Sequence, residues 1–392
     1  MVEKTIQIGL VGKPSSGKSS FFKAATMIDV PIAPYPFTTI EPNVGIAYVI
    51  KDCVCREFNV KCNPRNSICV EGKRYIPIKL WDVAGLVPGA HEGKGLGNKF
   101  LDDLRQAECL IHIVDTSGRT DAEGKETIGY DPCNDVRFLT EEIDLWFAGI
   151  IEKALEKFKR ISKFSKVDLT EILTKQLTGL GIKKGEIKEI LERVGIEDIR
   201  TFATELRKIS KPMIIAANKI DIPEAEENLK KLKEEFPDLT IIPTSAAAEM
   251  ALKTASKKGL IEYDGSSFKI KDEGKLTEEQ KKGLKLIKER VLKKYGSTGV
   301  QECLNRAVFD ILNYIVVYPV ANAEKLTDGK GNVLPDAFLV KKGTTLKEFA
   351  FIIHSDIGER FVGGLDVRTK KKLGADYVLK DGDVVEILFQ KR

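Results

Sequence analysis

One stretch decides the fold of this 392-residue chain: Gly12-Lys13-Pro14-Ser15-Ser16-Gly17-Lys18-Ser19. It fits the pattern G-x-x-x-x-G-K-[ST] and stands where that pattern requires, after an apolar run at residues 5–11 and before a helical run at residues 19–27. Glycines let the backbone curl around an anion, so that several N–H groups and the N-terminus of the helix point at phosphate oxygens. The stretch therefore predicts a phosphate-binding loop between a buried strand and a helix.

Two side chains of this loop have a predicted chemical task. We expect the Lys18 ammonium to reach the β- and γ-phosphates of a nucleotide and the Ser19 hydroxyl to ligate Mg²⁺. The residues predicted to contact the nucleotide here are Gly12, Lys13, Pro14, Ser15, Ser16, Gly17, Lys18, Ser19 and Ser20.

The segment Asn218-Lys219-Ile220-Asp221 follows another apolar run, residues 213–217, and predicts which base is bound. A carboxylate at Asp221 can accept bonds from the ring N1–H and the 2-amino group of guanine. Adenine lacks this donor pair, so the wrong base would leave polar groups unpaired. We expect Asn218 to brace the base and the loop, and the stem of Lys219 to cover the ring.

Two more strand ends carry candidate contacts. The next strand ends at Thr244-Ser245-Ala246, and we expect Ser245 and Ala246 to present backbone N–H groups to the guanine oxygen. An earlier strand ends at Asp82-Val83-Ala84-Gly85. Asp82 is expected to hold Mg²⁺ through water, and the Gly85 N–H to bond the γ-phosphate.

A Pro-rich loop at residues 35–39 contains the remaining predicted ligand of Mg²⁺, Thr39, which closes the Mg²⁺ shell when the third phosphate is present. Thr38 is the alternative, and the sequence leaves it open. Loss of the γ-phosphate would release this loop and the one after Asp82, which makes a switch. The predicted Mg²⁺ ligands are thus Ser19, Thr39 and Asp82.

Leu86 occupies the position after Gly85, where Ras-like proteins carry a glutamine that orients the attacking water. Leucine has no hydrogen-bonding group, so unassisted hydrolysis is expected to be slow. His91, in the Gly-rich segment 89–97, is the nearest polar candidate for the task, and an exposed loop residue is the alternative interpretation. The candidate catalytic residues are Lys18, Thr39, Gly85 and His91.

Strand-like runs alternate with helical stretches through residue 243, which is typical of an α/β fold with a doubly wound, mostly parallel sheet. Residues 130–210 interrupt it with apolar residues at three- and four-residue steps, which predict a helical, coiled-coil-like insertion. Extra helices packed on the sheet are the alternative. Short strands and turns in residues 316–392 predict a small separate β-rich domain. The nucleotide-binding domain is expected to comprise residues 1–129 and 211–315.

Composition excludes several classes of protein. Hydrophobic residues make up 42% of the chain and charged residues 31%, which rules out a disordered or collagen-like chain. No apolar run reaches the roughly 18–20 residues of a bilayer-spanning helix, and the N-terminus lacks the layout of a signal peptide. We therefore expect no membrane association, a cytoplasmic location and, with the oligomeric state left open, a monomer.

Four of the seven cysteines lie close together: Cys53, Cys55, Cys62 and Cys69. Four thiolates can close a tetrahedral zinc site, but this spacing lacks the paired C-x₂₋₄-C turns of common zinc sites. Free thiols in a surface insertion are therefore the favoured interpretation, in keeping with a reducing compartment.

These motifs together resemble the Obg-like GTPases, and within them the YchF-type branch in its archaeal form. The resemblance is carried by residues 12–19, 35–45, 82–90, 93–98 and 218–221. Residues 379–387 resemble the TGS domain, a ubiquitin-like β-grasp fold, so that the domain at 316–392 is expected to have that fold. The resemblance implies a Mg²⁺-dependent GTP-binding protein that hydrolyses GTP to GDP. It further implies association with the ribosome through the TGS and helical domains, in translation or stress.

Two departures from the family are informative. Several YchF relatives carry a changed base motif and prefer ATP, whereas residues 218–221 are intact here and favour GTP. Many relatives have asparagine in place of Ser15, a residue tied to potassium-assisted hydrolysis, so potassium dependence is in doubt. The alternative functions are a P-loop ATPase or kinase-like enzyme, and a nucleotide-dependent RNA-binding scaffold with negligible hydrolysis.

Residues 368–372, Arg-Thr-Lys-Lys-Lys, form a short basic run in the TGS-like domain. Such a run can contact RNA phosphate, and a solvated surface turn is the equally favoured alternative. His112, inside an apolar run, is expected to be a packed core residue rather than a catalyst.

Overall fold

The structure, a computed structural model, describes residues 5–27, 43–83, 97–163 and 167–390. The chain divides into two compact units. The first contains residues 1–6, 28–79 and 304–392, and the second contains residues 7–27 and 80–303.

The strands in the described part of the chain are β1 (Gln7–Val11), β2 (Val44–Asp52), β3 (Ile68–Val70), β4 (Lys73–Asp82), β5 (Cys109–Asp115), β6 (Met213–Asn218), β7 (Thr240–Pro243), β8 (Ile261–Tyr263), β9 (Phe268–Ile270), β10 (Tyr314–Val320), β11 (Phe338–Lys341), β12 (Phe361–Asp366), β13 (Lys372–Leu373) and β14 (Val384–Phe389). The α-helices of these ranges are α1 (Lys18–Thr26), α2 (Gly97–Gln106), α3 (Cys133–Ile161), α4 (Leu169–Leu177), α5 (Lys184–Val194), α6 (Ile199–Ser210), α7 (Ala225–Glu235), α8 (Ala246–Lys257), α9 (Glu278–Ile287), α10 (Lys293–Tyr295), α11 (Val300–Arg306), α12 (Leu346–Ile353) and α13 (Ser355–Glu359).

A parallel sheet forms the centre of the second unit. β1 pairs with β5, β5 with β6 and β6 with β7, all in parallel. The end of β4 lies on the other side of β1, where the Val83 N–H donates to Leu10 O at 3.1 Å. β5 and β6 are buried along their whole length, as strands covered by helices on both faces are. The predicted α/β class with a mostly parallel sheet is confirmed.

Four helices, α3 to α6, fill the segment predicted to be helical. The 29-residue α3 buries one apolar face, and its inner residues belong to the same core as the sheet residues Val11 and Val114. Between α3 and α6, Asp144 accepts from Arg207 Nε at 2.6 Å and from Thr204 Oγ1 at 2.8 Å. The helical character is as predicted, and the start of the segment packs on the sheet, as in the alternative that the sequence leaves open.

The first unit contains an antiparallel hairpin and a five-stranded sheet. In the hairpin β3 pairs with β4 across a turn at Glu71 and Gly72. In the sheet the strand order is β11-β10-β14-β12-β13, and β10 and β14 pair in parallel although they are the first and last of these strands. Helix α12 covers the sheet, and Phe349 meets Phe338 edge to face with ring centroids 5.6 Å apart. This is the expected β-grasp topology.

The compact units do not coincide with the domain boundaries expected from the sequence, and those boundaries stay a prediction. Residues 43–79 belong to the same unit as the β-grasp sheet, whereas the sequence pattern placed them with the nucleotide-binding domain. Within the described ranges, no helix is both long and apolar enough to cross a lipid bilayer.

Candidate functional site

The loop between β1 and α1 leaves no room for side chains at two of its glycines. Gly17 has φ +94°, and a Cβ there would lie 2.2 Å from Asn218 Nδ2. A Cβ on Gly12 would lie 2.6 Å from the carbonyl oxygen of Ile113. Ser15 also adopts a left-handed conformation, with φ 62°, which is uncommon for a residue other than glycine. The backbone therefore forms a tight concave turn at the N-terminus of α1, the geometry that binds an anion.

Lys18 brings a positive charge to the mouth of this loop. Its ammonium forms an ion pair with Asp82 at the end of β4 and donates to Val83 O at 2.8 Å. Ser19 follows in the first turn of α1. A carboxylate and a hydroxyl are oxygen donors of the kind that Mg²⁺ prefers, so Asp82 and Ser19 fit the predicted ion.

Lys13 has a different task from Lys18, because its side chain is directed into the protein. Its ammonium donates to Thr120 O at 2.9 Å, pairs with Asp135 at 2.9 Å and lies 3.9 Å from the centroid of the Tyr130 ring. Burial, with a smaller contribution from the Lys13 charge, lowers the pKa of His112 to about 3. His112 is therefore a neutral core residue, as the sequence predicts, and Lys13 anchors the loop to the start of α3.

The amide of Asn218 joins three segments of the site. Its Nδ2 donates to Ser16 O in the phosphate-binding loop at 2.9 Å, and its Oδ1 accepts from the Ala246 N–H at 3.0 Å. The Ser245 N–H donates to Thr298 O at 2.9 Å. The expected contact of the Ser245 and Ala246 N–H groups with the base stays a prediction, and it would compete with these two bonds.

The half-buried carboxylate of Asp221 is oriented by a neighbouring hydroxyl. Its Oδ1 accepts from Ser245 Oγ at 2.7 Å, and the same hydroxyl oxygen accepts from the Ala248 N–H at 3.2 Å as the N-cap of α8. Ser245 thus fixes Asp221 relative to the start of a helix. The structure brings the predicted base-binding residues to the same edge of the sheet as the phosphate-binding loop.

Three family models match this chain. Residues 7–139 match a model described as "50S ribosome-binding GTPase", residues 216–322 one described as "Obg-like GTPase YGR210-like, G4 motif-containing domain", and residues 330–389 the TGS domain. An uncharacterized GTP-binding protein of Methanocaldococcus jannaschii is 52% identical over 388 residues, which cover 97% of this chain and 98% of that protein. The chain belongs to the Obg-like family of P-loop GTP-binding proteins.

Two further relatives extend the comparison of this Obg-like chain. The crystal structure of a GTP binding protein from Pyrococcus horikoshii is 39% identical and has a TM-score of 0.79, with 98% of this chain and 100% of that chain covered. The protein of Bacillus subtilis named ribosome-binding ATPase YchF is 26% identical over 421 residues, covering 97% of this chain and 98% of that protein. The family and the fold are thus those that the sequence motifs resemble.

Asp115, at the end of β5, is the main residue of the site that sequence reasoning missed. It is fully buried and accepts from Ser117 N at 3.0 Å, from Thr120 Oγ1 at 2.6 Å and from the ammonium of Lys219 at 2.8 Å. Burial alone would raise the pKa of Asp115, but the bonds from Lys219, Ser117 and Thr120 outweigh it and lower the pKa below its ordinary value. The sequence feature that could have indicated Asp115 is its position, since it ends a strand as Asp82 and Asn218 do.

Lys219 is held in place by this carboxylate. It has a left-handed backbone with φ 65°, a conformation that costs a residue with a side chain about 1–3 kcal/mol. The predicted residues Thr38, Thr39, Gly85, Leu86 and His91 lie outside the described residues.

Replacing Lys219 with methionine tests the pair with Asp115. The lowered pKa means that the Asp115 carboxylate adds stability above about pH 4, and that this stability is lost as the pH falls through the lowered pKa. In Lys219→Met the bond from the ammonium no longer opposes the effect of burial, so the pKa of Asp115 rises. We expect a loss of about 2 kcal/mol in the free energy of unfolding at pH 7 and a smaller loss toward pH 3. Urea unfolding followed by tryptophan fluorescence measures this free energy. The signal reports on the right part of the chain, because Trp81 and Trp146 belong to the second unit, as Lys219 and Asp115 do.

The matched control is Lys231→Met, which removes the pair of Lys231 with Glu227, whose side chains are 55% and 78% exposed. Its effect is expected to stay below about 0.5 kcal/mol at every pH. An equal loss at pH 3 and pH 7 in Lys219→Met would show that the ion pair does not carry the effect.

Proposed function

We propose that this chain binds GTP with Mg²⁺ and hydrolyses it to GDP, as a switch. The observation that carries the proposal is the bridge through Asn218, which ties the base-binding segment to the phosphate-binding loop. A nucleotide that spans both segments would be read at its base and at its phosphates by one connected set of bonds.

Selection of guanine is assigned to Asp221. Ser245 occupies one side of the carboxylate, and the remaining acceptor capacity suits the N1–H and 2-amino donors of guanine. Adenine offers no such donor pair, so its binding would leave the remaining acceptor capacity of the half-buried carboxylate unused. This supports GTP rather than ATP as the substrate, although the Bacillus subtilis relative is named an ATPase.

The exchange Asp221→Asn is expected to weaken GDP binding by about 1.5–3 kcal/mol and to improve binding of xanthine nucleotides. The amide places a donor opposite the 2-oxo group of xanthine, while its carbonyl oxygen can still accept from Ser245. Titration calorimetry with GDP, XDP and ADP measures the three affinities.

Asp238→Asn, at an exposed aspartate after α7, provides the matched control and is expected to leave all three affinities unchanged. Wild-type affinity for GDP in Asp221→Asn, or tighter binding of ADP than GDP by the wild type, would contradict the assignment.

Hydrolysis is assigned to electrostatic stabilisation by Lys18 and to Mg²⁺ held by Ser19 and Asp82. The ion, when bound, neutralises the charge that develops on the β- and γ-phosphates. The ion pair between Lys18 and Asp82 means that a γ-phosphate would draw the ammonium from the carboxylate, which frees Asp82 for the ion. Thr39, Gly85 and His91 stay predicted from the sequence for the γ-phosphate side of the site.

Lys18→Met is expected to lower the single-turnover rate of GTP hydrolysis at least about 100-fold at saturating nucleotide, because the transition-state charge loses the stabilising ammonium group. Lys23→Met is the matched control: Lys23 is an exposed lysine on the same helix, and its loss should leave the rate unchanged. Equal rates in the two variants would remove Lys18 from the chemistry and favour a nucleotide-dependent scaffold without hydrolysis.

We further propose the ribosome as the partner, as the name of the Bacillus subtilis relative suggests. In the basic run, Arg368 is held by Glu57 through two bonds of 2.6 and 2.7 Å, and the Lys370 ammonium donates to Ala323 O. Lys371 and Lys372 are exposed and remain suitable for phosphate contacts.

Sedimentation of the full chain with ribosomes tests this partner. We expect more protein in the ribosomal pellet with a non-hydrolysable GTP analogue than with GDP, and less with rising salt. The double variant Lys371→Ala/Lys372→Ala should reduce the pelleted fraction, whereas Lys257→Ala/Lys258→Ala, at the exposed end of α8, should not. Binding that ignores the nucleotide would argue against a switch acting on the ribosome.

A further inference from the structure

The four cysteines that the sequence leaves as free thiols converge in the first unit. The distance between the sulfurs of Cys53 and Cys62 is 3.6 Å, and that between the sulfurs of Cys55 and Cys69 is 3.8 Å. All four sulfur atoms lie within 4.8 Å of one another. Cys53 and Cys55 are only 3% and 6% exposed. From this geometry we propose that Cys53, Cys55, Cys62 and Cys69 bind one structural zinc ion.

The sulfur separations match the dimensions of such a centre. Four sulfurs at about 2.3 Å from one ion, in tetrahedral geometry, lie about 3.8 Å from each other. An iron–sulfur cluster does not fit, because its irons and sulfides lie between the thiolates and hold them farther apart. All four residues are free cysteines, so the thiols are available. Binding releases their four protons, and no electron transfer is involved.

The local backbone explains how an unusual spacing closes a tetrahedron. Cys53 follows β2, and a single 3₁₀ turn at Val54–Arg56 carries Cys55. Cys69 lies on β3, and the hairpin of β3 and β4 returns the chain to Cys53, whose N–H donates to Gly72 O at 2.8 Å. Two ligands thus come from a helical turn, one from a hairpin and one from the loop between them. A search of the sequence for the paired C-x₂₋₄-C turns of common zinc sites does not find this arrangement.

A buried arginine beside the cluster supplies an independent reason to expect negative charge there. Arg74 pairs with Cys69 in the hairpin register and is fully buried. Its Nη2 donates to Leu334 O at 2.7 Å, while Nε and Nη1 have no hydrogen-bond partner among the described residues. A buried cation is costly unless an anion lies near it. Four thiolates around one Zn²⁺ carry two net negative charges, which compensate Arg74.

The register of the hairpin places Arg74 opposite Cys69, one of the four cysteines. Arg74 also lies 5.5 Å from the centroid of the Tyr318 ring on β10, so the same side chain touches the β-grasp sheet.

The loop at residues 53–69 is hydrogen-bonded to residues 333–337, the segment that leads into β11. The Asn63 and Arg65 N–H groups each donate at 2.8 Å, to Val333 O and Pro335 O. The Arg65 side chain pairs with Asp336. A zinc ion that closes residues 53–69 into a rigid loop would preserve these bonds. The ion would therefore stabilise the attachment of residues 333–337 without contacting the nucleotide.

Metal analysis of the full-length protein tests the proposal. Protein purified without chelators and dialysed against metal-free buffer should contain about one zinc per chain. After exchange for Co²⁺, it should show the intense visible absorption of a tetrahedral ion with thiolate ligands. Removal of the metal should accelerate hydrogen exchange in residues 333–337 while leaving GDP affinity unchanged.

Cys62→Ser and Cys69→Ser are the variants of choice, because these two cysteines are only partly buried. Each should lose most of the zinc, whereas Cys133→Ser, at a buried cysteine outside the cluster, should retain it. If a ligand variant does not fold, the zinc content and Co²⁺ spectrum of the wild type still decide. A zinc content below about 0.2 per chain in the wild type overturns the proposal, whether mass spectrometry then finds four reactive thiols or two disulfides. A loss of zinc in Cys133→Ser equal to that in the ligand variants also overturns it.

Discussion

The amide of Asn218 is the constraint on which the nucleotide site depends. A primary amide offers donors on one side and an acceptor on the other, and here both are used inside the protein, toward Ser16 O and the Ala246 N–H. The same amide explains why Gly17 has no side chain, since a Cβ there would collide with Nδ2. Residues 202 positions apart are therefore linked: the predicted phosphate-binding loop has its shape because the predicted base-binding segment supports it.

The three lysines of this site differ in the carboxylate with which each one pairs. Lys13 and Lys219 are held by Asp135 and Asp115, which are themselves buried, so their charges are neutralised within the protein and act as braces. Lys18 pairs with Asp82, whose side chain is partly exposed, and in the proposed function this pair opens when phosphate and a divalent ion compete for its members. Similar side chains thus differ in function because their surroundings differ.

One segment of the first unit, residues 53–69, has little hydrophobic core of its own. Few of its side chains are apolar, and the buried cluster that includes its Ile68 has Tyr48 as the other buried member. It makes backbone bonds to Val333 and Pro335, and its four sulfurs converge. A short segment with so small a core commonly needs a cross-link or a metal ion to become rigid.

The sequence by itself determined the parts of this protein that depend on local chemistry. The strand–loop–helix pattern around Gly12 to Ser19 predicts a phosphate-binding loop. Polar residues at strand ends predict site residues at Asp82, Asn218 and Asp221, because parallel strands end at one edge of a sheet. Only the tertiary structure decided which partners these residues have. Asp115, Asp135 and Arg74 are ordinary charged residues in the sequence, and the convergence of four unevenly spaced cysteines depends on a hairpin whose pairing joins distant atoms. Periodicity and spacing describe neighbours along the chain, whereas burial and ion pairing depend on contacts between residues far apart in it.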